Sequence, residues 1–262
     1  MSRTLKSKTA GMAALLSLGA LAACATTGGT PAQAQVDHQA RAAVARQDKL
    51  AQMTFWAQEY QRFPDDLEAA QQFAEALREG GRADRAVQVS AEALQKHPQD
   101  AQLTRTLGLS LIKSGRPNEA LRPLAFLAEN DAQDWRARNA LGVALDQSGR
   151  NADARRAYQD ALAIRPNEPS VLVNMGVSHI YSGEPAEAER ILRQAAEQPN
   201  ATAEARQNLA LAIGLQGRFD EAERLQRVDL PPAVVAANMS YLRGLFSDPR
   251  RWAEMRGTTS SQ

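Results

Sequence analysis

Residue types that can act as nucleophiles, bases or metal ligands are few in this chain of 262 residues. The only cysteine is Cys24, and the three histidines, His38, His97 and His179, are separated by 59 and 82 positions. Zinc sites usually draw ligands from closely spaced residues, so these spacings do not predict a metal site. The glycine pair in "LREGGRADRA" lacks the lysine and the preceding strand of a phosphate-binding loop. We therefore expect no catalytic residue, no metal and no small-molecule substrate.

The composition favours an all-helical protein that does not bind nucleic acid. Strong helix formers such as alanine, leucine and glutamate are abundant, whereas aromatic residues make up 5% of the chain. The formal charge is +1, but Arg3, Lys6 and Lys8 lie in the first 23 residues, which contain no acid. Without these three residues the chain has 28 basic and 30 acidic side chains, a net charge of −2. This near-neutral mixture predicts no basic surface for DNA or RNA.

Cys24 ends a segment that has the three parts of a secretory signal. Basic residues come first, the apolar run "GMAALLSLGA" follows over residues 11–20, and small residues precede the cysteine. The apolar run is too short to span a bilayer, so we expect residues 1–23 to be a signal peptide. An ordinary cleaved signal, in which the cysteine has no role, is the alternative.

The residues Leu21, Ala22, Ala23 and Cys24 resemble the bacterial lipobox. The resemblance implies that the sulfur of Cys24 receives diacylglycerol, that the chain is cut before Cys24 and that the new amino terminus is acylated. Several acyl chains would make attachment to a membrane effectively permanent. Ala25, in place of aspartate, implies by the same resemblance the periplasmic face of the outer membrane of a Gram-negative bacterium. No cofactor other than this covalent lipid is expected.

A 34-residue period organises most of the remaining chain. Glycine recurs at this interval, an alanine follows each glycine by five positions, and a small residue precedes each glycine by seven positions. The glycines are Gly81, Gly115, Gly149, Gly183 and Gly217. The preceding small residues are Ala74, Gly108, Gly142, Gly176 and Ala210. Glycine can adopt the left-handed conformation that ends a helix, and small residues let two helices approach closely.

This unit resembles the tetratricopeptide repeat. The resemblance implies an all-α, right-handed solenoid of about five helical hairpins over residues 67–228. The other segments are predicted to be a lipidated flexible tether at 24–37, an N-terminal helix or half-repeat at 38–66, a C-terminal capping helix at 229–248 and a flexible tail at 249–262. No repeat has the family's tryptophan at the fourth position, and leucine, histidine or isoleucine replaces the usual tyrosine at the eleventh.

In the tetratricopeptide family, the first helices of consecutive repeats form a concave groove that binds a protein segment. The family's groove positions are mostly apolar in this sequence from the second repeat onward, which suits an amphipathic helix or an apolar peptide. These residues are Leu109, Ile112, Val143, Val177, Ile180, Tyr181, Leu211 and Leu215. Chaperone-binding members clamp a terminal carboxylate in this groove. Arg105, Asn174 and Asn208 could contribute to such a clamp, but the apolar ninth positions argue against it. The alternative is that the groove residues only pack against neighbouring helices.

The stretch from Asn208 to Leu245 is the most distinctive part of the chain, because the last repeat runs into Asp229-Leu230-Pro231-Pro232 and then Tyr241-Leu242. With the lipobox and the repeats, it resembles the TadD-like tetratricopeptide-repeat lipoproteins of the tight adherence (Tad/Flp) pilus assembly system. The resemblance implies a non-enzymatic, pilotin-like factor whose partner is the secretin or another pilus-assembly component.

Two alternatives to this function remain. One is a periplasmic scaffold lipoprotein that recruits peptidoglycan enzymes or proteases, and it would bind soluble enzymes in place of a secretin. The other is a peptidoglycan- or peptide-processing enzyme, which would need a nucleophile or metal constellation that the sequence does not contain.

Overall fold

The computed structural model describes residues 40–41, 43–44 and 48–247 of the chain. Within these residues it contains twelve complete α-helices and no β-strand. The predicted signal peptide, tether and C-terminal tail lie outside the described residues. The helices are α1 Lys49–Arg62, α2 Leu67–Glu79, α3 Ala83–Lys96, α4 Ala101–Lys113, α5 Pro117–Asn130, α6 Trp135–Gln147, α7 Asn151–Ile164, α8 Pro169–Tyr181, α9 Pro185–Ala196, α10 Ala203–Gly214, α11 Phe219–Gln226 and α12 Pro232–Ser247.

The chain divides into two units, Met1–Arg46 and Gln47–Gln262. In the first unit, the structure describes four residues, Ala40, Arg41, Ala43 and Val44, in helical conformation. The second unit contains α1 to α12, and each of these helices packs against the next along the chain. None of these twelve helices is both long enough and apolar enough to cross a membrane.

The helix boundaries in the second unit follow the 34-residue period. The first helices of the five repeats, α2, α4, α6, α8 and α10, begin 34 positions apart and also pack against one another in sequence order. The second helices are α3, α5, α7, α9 and α11. The bounds of α1 are those of α3 shifted by one period, so α1 is the second helix of a preceding half-repeat. The predicted all-α repeat solenoid is confirmed.

Each hairpin turn depends on a glycine in the left-handed conformation. Gly81, Gly115, Gly149, Gly183 and Gly217 have φ between 74° and 82°. The residue after each glycine donates its backbone N–H to a carbonyl five residues earlier, as Arg150 does to Leu145 over 2.9 Å. This bond ends the first helix by the Schellman pattern and sets the direction of the second.

A small residue and a large residue fit together inside three of the hairpins. A Cβ atom added at Gly142 would lie 2.4 Å from Cε1 of Tyr158, and one added at Gly108 would lie 2.6 Å from Cδ2 of Leu124. Gly176 has the same relation to Leu192, with a distance of 2.5 Å. The spacing along the chain is the same in all three pairs, so in each hairpin the glycine allows the first helix to lie directly against the large side chain of the second.

The last helix covers the end of the repeats. Val235, Met239, Leu242 and Leu245 of α12 are buried and belong to the main hydrophobic core. The connection before α12 is fixed by Arg206, whose Nε donates to Oδ2 of Asp229 over 2.8 Å. The distinctive sequence from Asp229 to Leu245 therefore seals the core at this end, as a solenoid requires.

Candidate protein-binding groove

The ninth position of each repeat lies on the face formed by the first helices. From the second repeat onward it is occupied by Leu109, Val143, Val177 and Leu211, which we call the apolar row. Each of these side chains is partly exposed and also packs against the buried core. Because consecutive first helices pack against one another, residues one period apart are neighbours on this face. The row therefore offers apolar surface across four adjacent helices.

The other predicted groove residues differ in exposure. Ile112 is partly exposed, and Tyr181 is 63% exposed at the end of α8. Ile180 and Leu215 are only 8% and 4% exposed, and both belong to the core. These two residues lie beneath the surface of the first-helix face. The family positions predicted that they would line the groove, and in this structure they do not.

Polar side chains border both ends of the apolar row. At the first repeat, Nε of Arg78 donates to Oε2 of Glu75 over 3.0 Å, and the hydroxyl of Thr106 donates to the same oxygen over 3.3 Å. The hydrogen bond from Arg78 lowers the pKa of the Glu75 carboxyl, against the effect of burial, so Glu75 stays charged. At the other end, Asn208 and Tyr241 line a cavity of about 260 Å³ between α10 and α12.

Asp146 connects the third and fourth repeats through hydrogen bonds from neutral donors. It accepts from the hydroxyl of Tyr158 over 2.9 Å, from the hydroxyl of Ser178 over 2.7 Å and from the amide of Asn151 over 2.9 Å. Burial, reinforced by the negative charge of Asp146, raises the pKa of Tyr158, so this phenol remains protonated. The network places a fixed negative group beside the apolar row.

The side chains considered for a carboxylate clamp are mostly engaged within the protein. Arg105 forms an ion pair with Asp134, and Asn174 donates its amide to Oδ1 of Asn139 over 2.9 Å. Asn208 lines the cavity near Tyr241, which Leu211 of the apolar row also lines. The three residues hold repeats together or lie apart from one another, so this arrangement does not form a clamp.

Aspartates that begin first helices have a second role that sequence reasoning missed. Asp100 accepts the backbone N–H of Leu103 with Oδ1 over 2.7 Å, and accepts the amide of Gln71 with Oδ2 over 2.9 Å. Asp134 similarly accepts the N–H of Ala137 while it pairs with Arg105. One carboxylate thus caps its own helix and links it to the preceding repeat. The signal in the sequence was an aspartate before a first helix with a polar donor 29 positions earlier.

The residues that could act in catalysis are dispersed. His179 is buried, and its Nδ1 lies 2.6 Å from Oε2 of Glu184 at the turn between α8 and α9. His97 is the C-cap residue that follows α3, and its Nε2 lies 3.2 Å from the carbonyl oxygen of Asp65. His38, Cys24 and the other lipobox residues lie outside the described residues. Within the described part of the chain, no group of three or more histidine, cysteine, aspartate or glutamate side chains could hold a metal ion.

The repeats match a known family in sequence. Residues 105–169 and 173–233 match the tetratricopeptide repeat family. The fold is a tetratricopeptide-repeat solenoid. Residues 12–129 match a second family, described as a bacterial transcriptional activator domain. No curated protein sequence matches this chain.

Solved structures have the same fold, and one of them is described as a tetratricopeptide-repeat protein. TTC0263, a thermophilic tetratricopeptide-repeat protein of Thermus thermophilus, is 23% identical with a TM-score of 0.58, covering 67% of this chain and 97% of that chain. A MamA RS-1 ArsTM double mutant is 22% identical with a TM-score of 0.56, covering 63% of this chain and 93% of that chain. MamA of MSR-1 is 25% identical with a TM-score of 0.53, covering 63% of this chain and 95% of that chain. Tetratricopeptide repeats mediate protein–protein interactions, and the fold supports a protein-binding role here.

Proposed function

We propose that this protein is a non-enzymatic outer-membrane lipoprotein that binds a protein segment on the face formed by its first helices. The observation that carries the proposal is the apolar row of Leu109, Val143, Val177 and Leu211. These side chains are partly exposed on four adjacent helices. Removing apolar surface from water lowers the free energy, so covering these side chains is favourable. A partner that covers the row would remove this contact with water.

The apolar row can contribute only part of the binding free energy. Burying a whole valine or leucine side chain is worth about 1.5–3 kcal/mol, and these four side chains are already partly buried, so covering them contributes at most about 4 kcal/mol in total. That free energy corresponds to a Kd of about 1 mM, before the entropy cost of association. The partner therefore also needs contacts with polar groups beside the row, such as Asp146 or the Glu75–Arg78 pair.

The proposed location follows from the lipobox resemblance. Lipidation of Cys24 would attach the protein to the membrane, and Ala25 favours the outer membrane. The small, polar residues 24–37 contain Gly28, Gly29 and Pro31 and are suited to act as a tether between the lipid and the repeats. The protein would then present its repeats in the periplasm.

The proposed biological role is pilotin-like. The sequence from Asn208 to Leu245, together with the lipobox and the repeats, resembles lipoproteins of the tight adherence (Tad/Flp) pilus system. In such a role the protein would bind the secretin, or another pilus-assembly component, and help it to assemble or localise in the outer membrane. This role requires a stoichiometric complex and no chemical reaction.

Co-purification from detergent-solubilised membranes tests the proposal. The lipidated wild-type protein should recover the secretin, and a variant with Val143→Glu and Val177→Glu should not, because two charges would be buried in the interface. The matched control is Gln159→Glu with Gln194→Glu, which adds the same charge at exposed positions on the second helices of the same two repeats. The milder pair Val143→Ala and Val177→Ala should weaken recovery without adding charge, and circular dichroism should show unchanged helicity.

Other results would contradict specific parts of the proposal. Recovery of the secretin by the Val143→Glu and Val177→Glu variant would show that the apolar row is not the binding site. Recovery of cell-wall hydrolases or proteases without a secretin would replace the pilotin-like role with that of a scaffold for periplasmic enzymes.

A further inference from the structure

The second-helix side of the molecule has two apolar grooves near its N-terminal end. The first outer groove, of about 710 Å³, lies between α1 and α3, and Phe73 and Leu77 of α2 contribute to its lining. The second outer groove, of about 630 Å³, lies between α3 and α5, where Leu107 and Leu111 of α4 have the corresponding role. Both grooves are separate from the apolar row, which lies on the first helices.

The two grooves are the same feature repeated once. The lining residues Met53, Ala57, Phe73 and Leu77 of the first groove are each 34 positions before a lining residue of the second. Their counterparts are Val87, Ala91, Leu107 and Leu111. The grooves are therefore separated by the spacing of one repeat. The first helices that contribute to the two linings, α2 and α4, pack against each other. Helices that pack together have axes about 8–10 Å apart, so the two grooves are about this far apart where they meet the first helices.

The position of Met53 and Val87 changes in character along the later repeats. In the next second helix it is Leu121, an apolar residue that packs against the core, as Met53 and Val87 do. In the following repeat it is Arg155, whose Nη1 donates to the hydroxyl of Ser182 over 2.9 Å. One repeat later it is Glu189, which accepts from Gln216 and Arg218, each over 2.7 Å. Polar bridges thus join the C-terminal repeats, whereas the first two repeats leave apolar grooves.

The rims of the two grooves carry more positive than negative charge. Arg82 and Arg85 border the first groove with Asp84, and Arg122 borders the second. Among the described residues, none of these three arginines forms an ion pair, and Arg85 donates only to the neutral amide of Gln88. In the second groove, the carboxylate of Glu119 is neutralised by Arg116, whose Nε donates to it over 2.7 Å.

Two further features distinguish the second groove. Phe126 on its rim is 43% exposed. Pro123 lies in the interior of α5 and has no N–H, so the carbonyl oxygen of Glu119 lacks the usual donor four residues later. The groove therefore offers an aromatic surface beside a positive rim.

We infer that the two outer grooves together form a docking surface for an acidic amphipathic α-helix of a partner protein. Seven residues of an α-helix span about 10.5 Å, close to the spacing of one repeat, so apolar residues at i and i+7 would enter the two grooves. Same-face residues of an extended strand are about 6.6 Å apart and would not match. Acidic residues beside the apolar ones would face Arg82, Arg85 and Arg122. This surface does not depend on the groove proposed for the secretin.

The test uses a designed helical peptide of about 18 residues with leucine at i, i+3 and i+7 and glutamate on the flanks. A second peptide has lysine in place of each glutamate. Fluorescence anisotropy with the full-length protein should show that the glutamate peptide binds about tenfold more tightly than the lysine peptide. The variant with Arg85→Glu and Arg122→Glu should reverse this preference, and Ala91→Trp should abolish binding by filling the second groove.

The matched control is the pair Arg136→Glu and Arg224→Glu, at exposed positions outside both grooves, which should leave the preference unchanged. The inference is overturned if the two peptides bind equally, if neither binds, or if reversing Arg85 and Arg122 has no effect. It is also overturned if Val143→Glu with Val177→Glu removes peptide binding, because the peptide would then occupy the first-helix face. That last result would leave the proposed secretin-binding face standing, so failure of one idea is distinguishable from failure of the other.

Discussion

At the scale of single residues, the distance between the two helices of a hairpin is set by a glycine and a large side chain. Gly142 lies against Tyr158 so closely that a Cβ atom would be 2.4 Å from the ring. Tyr158 cannot turn away easily, because it is buried and its hydroxyl is bonded to Asp146. The same residue thus fills the hairpin and connects it to the polar network beside the apolar row.

Gly142→Ala is therefore expected to destabilise the protein, although alanine normally favours a helix more than glycine. Overpacking against Tyr158 costs about 1–3 kcal/mol, which exceeds the propensity gain of about 0.5–1 kcal/mol. The matched control is Gly244→Ala in α12, where nothing lies within 4 Å of the added carbon, and this change should stabilise the protein. Thermal unfolding followed by circular dichroism distinguishes the two. An increase in melting temperature for Gly142→Ala would show that the close contact is not rigid.

At the scale of helices and turns, aspartates at the starts of first helices join neighbouring repeats. Asp134 caps α6 through Ala137 and also pairs with Arg105 of the preceding first helix. The Asp134 side chain is only 9% exposed, so removing it would leave a partly buried guanidinium without its partner. Thr202 begins α10 and caps Ala205 over 3.2 Å, and it contributes a cap alone.

Asp134→Ala should cost about 2–3 kcal/mol of unfolding free energy, from the lost cap and the lost ion pair together. Thr202→Ala should cost about 1 kcal/mol, because only a cap is removed. Asp134→Asn, which can still cap, should fall between them. Urea unfolding of the three variants gives these differences. Equal losses for Asp134→Ala and Thr202→Ala would mean that the link to Arg105 does not contribute to stability.

The helices and turns could be predicted from the 34-residue period because each column of the repeat has one physical requirement. A turn glycine such as Gly149 needs a positive φ, and Gly142 needs to be small, so both recur in register. The exposure of groove residues could not be predicted in the same way, since it depends on how deeply each position sits between neighbouring repeats. Ile180 and Leu215 occupy groove positions of the family but are buried here.

Contacts between repeats were also beyond prediction from one sequence. The pairing of Gln71 with Asp100 depends on the distance between two hairpins, which no single repeat specifies. The outer grooves have a similar origin. The missing tryptophan and tyrosine of the family pattern indicate smaller side chains, but only the packed structure shows that the space beside Leu77 and Leu111 stays open in the first two repeats.

At the scale of the whole molecule, the proposal separates attachment from recognition. The lipid on Cys24 would determine where the protein is, and the helical faces would determine what it binds. The twelve helices of the second unit begin at Lys49, well after Cys24 in the chain. Loss of the thiol should therefore change location and leave the fold intact.

Cys24→Ala is accordingly expected to release the protein from membranes, because the acyl chains that make attachment effectively permanent could not be added. Membrane sedimentation and labelling with a radioactive fatty acid measure the release and the loss of lipid. The control is Thr26→Ala, close to the cysteine but outside the lipobox, which should remain on the membrane and carry the label. Circular dichroism of the released Cys24→Ala protein should show the helicity and melting temperature of the wild type. If this variant still sediments with membranes, the lipid on Cys24 is not the anchor, and attachment must then come from another part of the chain or from a membrane-bound partner.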